Sequence, residues 1–376
     1  MSTTSFQSSN NLAIKVWSRK AFNDAVKATL YGQLTGTSDR AVVQVKSELK
    51  KEKGDRITFG LRALPTGLGV QDDETLEGNE EGLTTTDFAI NLGEKRHAIK
   101  VDLNLSAQRT MFDVKQEAKD ALQEWAEDYL DTTFFEYLTG VQMGVYQGNP
   151  VSKYHKSGPL GGNAILPPSA DRIIYGGTAT AANNLQATDT MSLAVLDKVA
   201  ERLKRASPTI RKAQFNGKLC WVVIMAPEQV NDLRSNAGTL QWADIKKAVI
   251  QGGGENAFEG EILGMYREML LIESTRIPTF YGSSINGVAG PNPTGYGAGN
   301  NVKAARAVVL GAQAAVVAHG NDTDGWGKMK LTERTFDYGK RYGVALTLIW
   351  ALAKSRFNNQ SDFAAFCLDT AAQPHS

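Results

Sequence analysis

The sequence predicts an α+β fold in which strands and helices occupy separate blocks. Three observations carry this. Between Ala41 and Leu105 apolar and polar residues alternate in short runs, the period of half-buried strands. From Ser106 to Leu138 no proline or glycine interrupts an acidic amphipathic stretch, far longer than the average helix of ~11–12 residues. Beyond Gly217 the chain returns to short apolar runs punctuated by Gly and Pro, which read as further strands.

The bulk numbers set limits. A chain of 376 residues suggests two or three domains at roughly 100–200 residues each. With 42% hydrophobic residues it can build a sizeable core, which excludes gross disorder. A net charge of +1 argues against a free-standing nucleic-acid binder, because neutralising phosphates needs a basic excess. The two cysteines, Cys220 and Cys367, each lie in an apolar run and read as buried thiols of a reducing compartment. MSTTSFQSSNN is no signal peptide. The longest apolar run, Val344 to Ala353, falls short of the ~20 residues that span a bilayer. The chain therefore reads as soluble and cytoplasmic.

Residues 1–11 form a polar arm. Ser18 caps a predicted helix to about Leu30, with Phe22, Val26, Thr29 and Leu30 on one face and Gly32 and Gly36 ending it. Ala41–Val45, Arg56–Leu61, Thr84–Leu92 and Ala98–Leu105 are predicted strands. The segment Gly67 to Gly82, with QDDETLEGNEEG at its centre, is an acidic loop with no apolar period. On the long helix, Met111, Val114, Ala118, Ala121 and Trp125 keep a heptad spacing that Asp128 then breaks. That favours a straight helix lying on its own sheet over a coiled coil. Residues 141–190 are rich in Gly, Pro, Asn and Ser and read as a long functional or exposed insertion. Leu193 to Leu203 restores helical spacing. Leu219–Met225 is a buried strand, and Pro227 opens a helix through Val230 and Leu233. Ile262–Ile272, Ala307–Leu310, Ala314–Ala318, Lys328–Arg334 and Val344–Leu352 complete the strands, and Gly282–Gly299 is a loop.

The search for chemistry returns little. His97, His155, His319 and His375 have no metal-ligand spacing, and they read as solvated. Gly252-Gly253-Gly254 lacks the Lys-Ser/Thr of a phosphate loop, and Gly295-Tyr-Gly297-Ala-Gly299 lacks a preceding strand. The run Asp72, Asp73, Glu74, Glu77, Glu80, Glu81 lacks calcium-loop spacing and reads as a solvated or partner-facing loop. Asn321–Gly325 reads as a tight turn. Asp120, Glu124 and Asp128 recur at i, i+4 as a wet helix face.

A set of short motifs, taken in order, is more specific than any one of them. It comprises Lys53-Gly54-Asp55-Arg56-Ile57-Thr58-Phe59, Gly69-Val70, Leu76-Glu77-Gly78-Asn79-Glu80-Glu81 and Ser106-Ala107-Gln108-Arg109. Gly260-Glu261-Ile262-Leu263-Gly264, Glu273-Ser274, Leu310-Gly311-Ala312-Gln313-Ala314 and Asp337-Tyr338-Gly339 complete it. Spread over residues 40–355, it resembles the major capsid proteins of tailed phages, in particular the coliphage N-four-like group.

That resemblance implies a Hong Kong 97-like capsid fold. Residues 1–40 would be an N-terminal arm and 41–100 an extended β-hairpin loop. Residues 101–189 and 326–376 would be a peripheral domain, with spine helix 106–138 and insertion 141–189 on the outer surface or at a subunit contact. Residues 190–325 would be an axial domain. The implied function is self-assembly into an icosahedral shell around packaged double-stranded DNA, as a virion component assembled in the host cytoplasm, with no enzymatic activity and no cofactor. Its partners would be other copies of itself in pentamers and hexamers, a portal, scaffolding or decoration proteins, and DNA contacted non-specifically. The hairpin's apolar face would be buried on a neighbour. Inter-subunit contacts are expected at Asp72, Asp73, Glu77, Glu80 and Glu81. They would face a basic patch, either Lys50, Lys51 and Lys53 or Lys204, Arg205, Arg211 and Lys212. Two other readings stay open: a soluble α+β enzyme with a dispersed active site, and a nanocompartment shell of the same fold.

Overall fold

The computed structural model describes residues 29–46, 54–62, 70–72, 75–78, 80–81, 85–102, 113–146, 149–156, 158–207, 209–215, 217–236, 262–281, 284–285, 288–289, 295–320, 329–358 and 360–372. The polar arm, the Ser18 cap, residues 106–112, the Gly252–Gly254 run and the Asn321–Gly325 turn lie outside them.

In chain order the main elements are β1 (Val43–Lys46), β2 (Arg56–Arg62), β3 (Thr85–Asn91), β4 (Gly93–Asp102) and α1 (Val114–Thr139). Then come β5 (Ile173–Tyr175), α2 (Leu193–Arg205), β6 (Lys218–Met225), a helix over 227–236, β7 (Ile262–Tyr266) and β8 (Met269–Glu273). The chain ends with β9 (Thr279–Tyr281), β10 (Ala304–Leu310), β11 (Ala315–His319), β12 (Met329–Phe336), β13 (Arg341–Lys354) and β14 (Ala365–Ala371).

Near the start, Thr29 is extended and its hydroxyl accepts the Gly32 N–H at 3.0 Å. A short helix therefore begins at Leu30 and runs through Gly32 to Leu34. The expected helix ending at Leu30 is corrected there.

Helix α1 starts later than its composition suggests. Asp113 is extended (φ −75°, ψ 102°) and its carboxylate accepts the Lys115 N–H at 3.0 Å, an N-cap that leaves no room for helix at 113 itself. Gly140, left-handed at φ 67°, closes the other end. The buried stripe is Ala118, Leu122, Ala126, Tyr129 and Leu130, whereas Ala121 is exposed and Val114 and Trp125 are half-buried. The 3.6-residue period of a straight helix moves the stripe off the heptad positions. From Tyr129 to Thr139 every residue is buried, polar ones included, so the C-terminal half threads the protein interior.

The first half lies on a six-stranded sheet in the order Thr35–Gly36, β1, β11, β13, β12, with β4 also paired to β13. Strand β13 alternates strictly: Tyr342, Val344, Leu346, Leu348 and Trp350 are buried, and the residues between them are half-buried. Trp350 Nε1 donates to the Tyr129 hydroxyl at 2.9 Å, Lys119 pairs with Glu333 at 2.7 Å, and Lys115 sits over the Tyr342 ring. These contacts fix α1 on its own sheet, as the broken heptad predicts.

Strands β2 and β3 form the two-stranded hairpin, in register from Arg56↔Asn91 to Arg62↔Thr85. The strand at 43–46 is not part of it, since β1 runs parallel to β11. The hairpin's apolar face does not wait for a neighbour. Ile57, Phe59 and Ile90 are buried against Val316, Ala318, Ala351 and Ala353 of the same chain.

The second sheet has ten strands. β6 lies between parallel β8 and antiparallel β10. β10 pairs along its length with β14, which is parallel to β5 on its far side. Residues 365–371, expected with the spine helix, thus belong to the sheet built from 218–225 and 304–310. The 282–299 loop also contributes strands, at 284–285 and 288–289. The 141–189 insertion packs on its own chain: Ser152, His155, Leu160, Arg172, Ile174, Ala179 and Leu185 in it are buried.

Besides the long passage through α1 from β4 to β5, the chain crosses between the two sheets at 311–314 and at 355–364, and these two crossings are bonded together. Gly311 N–H donates to Ala364 O at 2.8 Å, and Ser355 N–H donates to Ala314 O at 3.1 Å.

Candidate functional site

The acidic loop lies beyond the Arg62↔Thr85 end of the hairpin. Asp72, Glu77, Glu80 and Glu81 are all exposed. The Gly78 N–H donates to Glu80 Oε2 at 2.8 Å, and Gly78 at φ 93° supplies a turn that L-residues resist. Leu76 rises from the loop at 59% exposure. Asp73, Lys50, Lys51 and Lys53 lie outside the described residues.

The second basic patch expected opposite the loop is already engaged. Lys204 and Lys212 both pair with Glu268, at 3.8 and 2.8 Å, Arg205 pairs with Glu201, and Arg211 pairs with Asp39. Sequence spacing could not reveal this, because Glu268 and Asp39 come from distant segments.

Two carboxylates on α1 serve structure. Burial pushes the Asp128 carboxyl up, but hydrogen bonds from Lys153 and Arg276 outweigh it and hold it below the ordinary range. Tyr154 also donates to it. The residue expected on a wet face therefore ties helix, insertion and the 276 turn together. Glu136, fully buried, accepts the Met143 and Lys153 N–H groups at 2.9 and 2.8 Å and the Ser152 hydroxyl. Burial nevertheless raises its affinity for a proton. Nothing in the local sequence marks Glu136, since its partners are set by the fold of the insertion.

Arg306, Asp369 and Tyr296 form a buried triad. The guanidinium reaches the carboxylate through Nε and Nη2, at 2.8 Å each, and Tyr296 donates to Asp369 at 2.7 Å. Arg306 also donates to Thr139 O at the end of α1.

The expectation that the histidines are solvated fails for two of them. His155 is buried beside the Tyr129 ring, and burial with the nearby Lys95 charge pulls it down to about 4. His319 is buried in β11. His97 stacks on Trp125 from strand β4, and His375 lies outside the described residues. Among the described residues no three His, Cys, Asp or Glu side chains gather as metal ligands, and no helix is long and apolar enough to cross a membrane. Among the described residues are two open clefts. One of about 230 Å³ lies beside Asn91, Tyr137 and Arg356, and one of about 490 Å³ lies between Arg172, Lys198 and Arg202.

The comparisons with known proteins agree with one another. The sequence profile of the family described as "Phage capsid protein" matches residues 4–373. The major capsid protein of Pseudomonas phage KPP25 is 27% identical, over 98% of each chain. Among solved structures, the capsid of Ralstonia phage GP4 superposes with a TM-score of 0.79 at 30% identity, covering 100% of both chains. The Cyanophage Pam1 capsid asymmetric unit gives 0.65 at 18% identity over 99% of both.

Proposed function

This chain belongs to the phage capsid protein family, and from that membership we propose its place in the particle. It is the major capsid protein of a tailed phage, a structural protein and not an enzyme, and its copies build the shell. The observation that carries this is the match over the whole chain, in sequence and in backbone, to proteins that are capsids. The shell encloses packaged double-stranded DNA. It is built of pentamers and hexamers with a portal and with scaffolding or decoration partners, and it assembles in the host cytoplasm. A chain with net charge +1 suits a lining that DNA must fill and leave, because strong phosphate binding by every copy would hinder exit. The narrower placing in the coliphage N-four-like group rests on the ordered motifs, from Lys53–Phe59 to Asp337–Gly339.

In this reading the β2–β3 hairpin is the core of the extended loop of 41–100, and α1 is the spine of a peripheral domain. Residues 1–40 are the arm and 190–325 the axial domain. Because the hairpin's apolar face is covered by its own chain, its contribution to neighbours falls to the acidic loop. Asp72, Asp73, Glu77, Glu80 and Glu81, together with Lys50, Lys51 and Lys53, stand at subunit contacts. Closed shells repeat one heterologous contact around symmetry axes, so weak contacts add up once copies are linked.

The test is expression of the chain alone, followed by size exclusion and negative-stain microscopy. Shells, rings or megadalton species are expected. A monodisperse monomer that gains thermal stability from a small metabolite would overturn the reading.

A further inference from the structure

We propose that the cleft between α2 and the 170–172 turn binds a phosphate group, with Arg172 on one side and Lys198, Arg202 and Arg205 on the other. The site stands whether or not the copies form a shell. Only the source of the phosphate, a packaged strand or a free phosphate compound, rests on the shell reading. Three observations carry the site.

The first is how the cleft is made. Val195, Leu196, Val199 and Leu203 form the buried face of α2. Lys198, Glu201, Arg202 and Arg205 stand at i, i+3, i+4 and i+7, which is a single stripe along a helix. That stripe lines one side of the cleft, and Arg172 lines the other. The Arg172 guanidinium lies 5.0 Å from the centre of the Phe366 ring. At about 490 Å³ the cleft falls within the roughly 300–1,000 Å³ of small-ligand sites.

The second is that two of the cations are already held in place. Arg172 is buried, its Nη2 donates to Ser207 O at 3.1 Å, and its Nε lies 3.3 Å from Asp171. Lys198 Nζ donates to Tyr175 O and Gly177 O at 3.0 and 3.2 Å. Side chains fixed before binding lose little freedom on taking a ligand. A guanidinium fork also matches phosphate oxygens better than a point charge does.

The third is charge. The four cations share the cleft with two carboxylates, Asp171 and Glu201, whose side chains are 50% and 60% exposed. Nearby basic groups are neutralised: Lys204 and Lys212 share Glu268, and Arg267 has Asp197. Among the described residues Arg202 has no ion pair. Burial outweighs Asp171 and Asp362 and pulls the Arg172 guanidinium below its ordinary range. Burial and the Arg202 charge do the same to Lys198, against Asp189. Both shifts mark a cleft short of negative charge. A helix C-terminus attracts cations to its last turn, but this does not account for Arg172, which comes from another segment. A phosphate supplies the missing charge and several acceptor oxygens. One such contact per copy is salt-sensitive, so a strand held this way can still leave.

Calorimetry of the full chain with pyrophosphate, and anisotropy of a labelled short DNA duplex, test this. Wild type should bind pyrophosphate, and R202Q/R205Q should bind it about tenfold more weakly. Both side chains are exposed, so the variant should keep the wild-type melting curve. K100Q/R334Q removes the same charge from exposed positions on the other sheet and should bind like wild type. A wild-type chain that ignores pyrophosphate, a cleft variant that binds it undiminished, or a control that loses as much would each overturn the site. Polyglutamate that displaces pyrophosphate at equal charge would overturn the choice of phosphate. A duplex displaced by pyrophosphate and weakened in R202Q/R205Q, with a salt slope lower by about two, identifies a nucleic-acid strand as the source. A duplex indifferent to R202Q/R205Q, with pyrophosphate binding lost, identifies a free phosphate compound and upholds the site. Particle formation, read separately by size exclusion, decides the shell reading.

Discussion

Arg306 and Asp369 hold each other through two hydrogen bonds of 2.8 Å, with the Asp369 side chain entirely out of solvent. The pair joins β10 to β14, and through Thr139 O it reaches the end of α1. Removing one partner leaves a buried charge without its counter-ion. Arg306→Met or Asp369→Asn should each cost about 3–5 kcal/mol. Urea unfolding measures this, and a loss near zero would count against the network.

His155 sets a pH response. Its folded value, about 4, lies below the ordinary 6.5 because burial disfavours the imidazolium. The unfolded chain therefore takes up the proton first as pH falls. The stability this group contributes is complete above pH 6.5 and is lost as pH drops through about 4. His155→Phe should flatten that part of the stability-versus-pH curve, by on the order of 2 kcal/mol between pH 7 and 4. Parallel curves for the two proteins would refute the assignment.

Ala121 is exposed on α1, so only its backbone matters. Ala121→Pro removes a helix hydrogen bond and clashes one turn back, costing about 3 kcal/mol or more. Shells should fail to form. Ala121→Gln should stay within about 0.5 kcal/mol of wild type and assemble normally. Intact particles from the proline variant would refute the spine role.

The thiols should be silent in the native protein. Burial raises Cys220 to about 11 and Cys367 to about 12, and thiolate is the reactive form. A thiol reagent at pH 8 should label neither cysteine in the folded chain and both in denaturant. Fast native labelling of Cys367 would show that β14 opens.

What could be read from sequence was what repeats locally. The alternation of Tyr342, Val344, Leu346, Leu348 and Trp350 became a strand with those residues buried, and the LCWVVIM run became a strand buried from Cys220 to Met225, with Leu219 exposed. So did the spacing of Leu193, Leu196, Val199, Ala200 and Leu203 foretell a helix, and four of the five form the buried face of α2 with Val195. The acidic loop was legible as a loop from its lack of apolar period, and Asp72, Glu77, Glu80 and Glu81 are exposed. What was hidden depends on partners far along the chain. Asp128 looked solvated because Arg276 is distant in sequence, and His155 looked solvated because Tyr129 and Lys95 enclose it only after folding.

The paired crossings at 311–314 and 355–364 have a mechanical consequence. Two chain segments run side by side from one sheet to the other, bonded by Gly311 to Ala364 and by Ser355 to Ala314. Tension that separates the sheets is shared between both segments, and their cross-links resist in shear instead of peeling one at a time. A wall of such subunits, pressed outward by its contents, would stretch at the joints between copies before it tore within one.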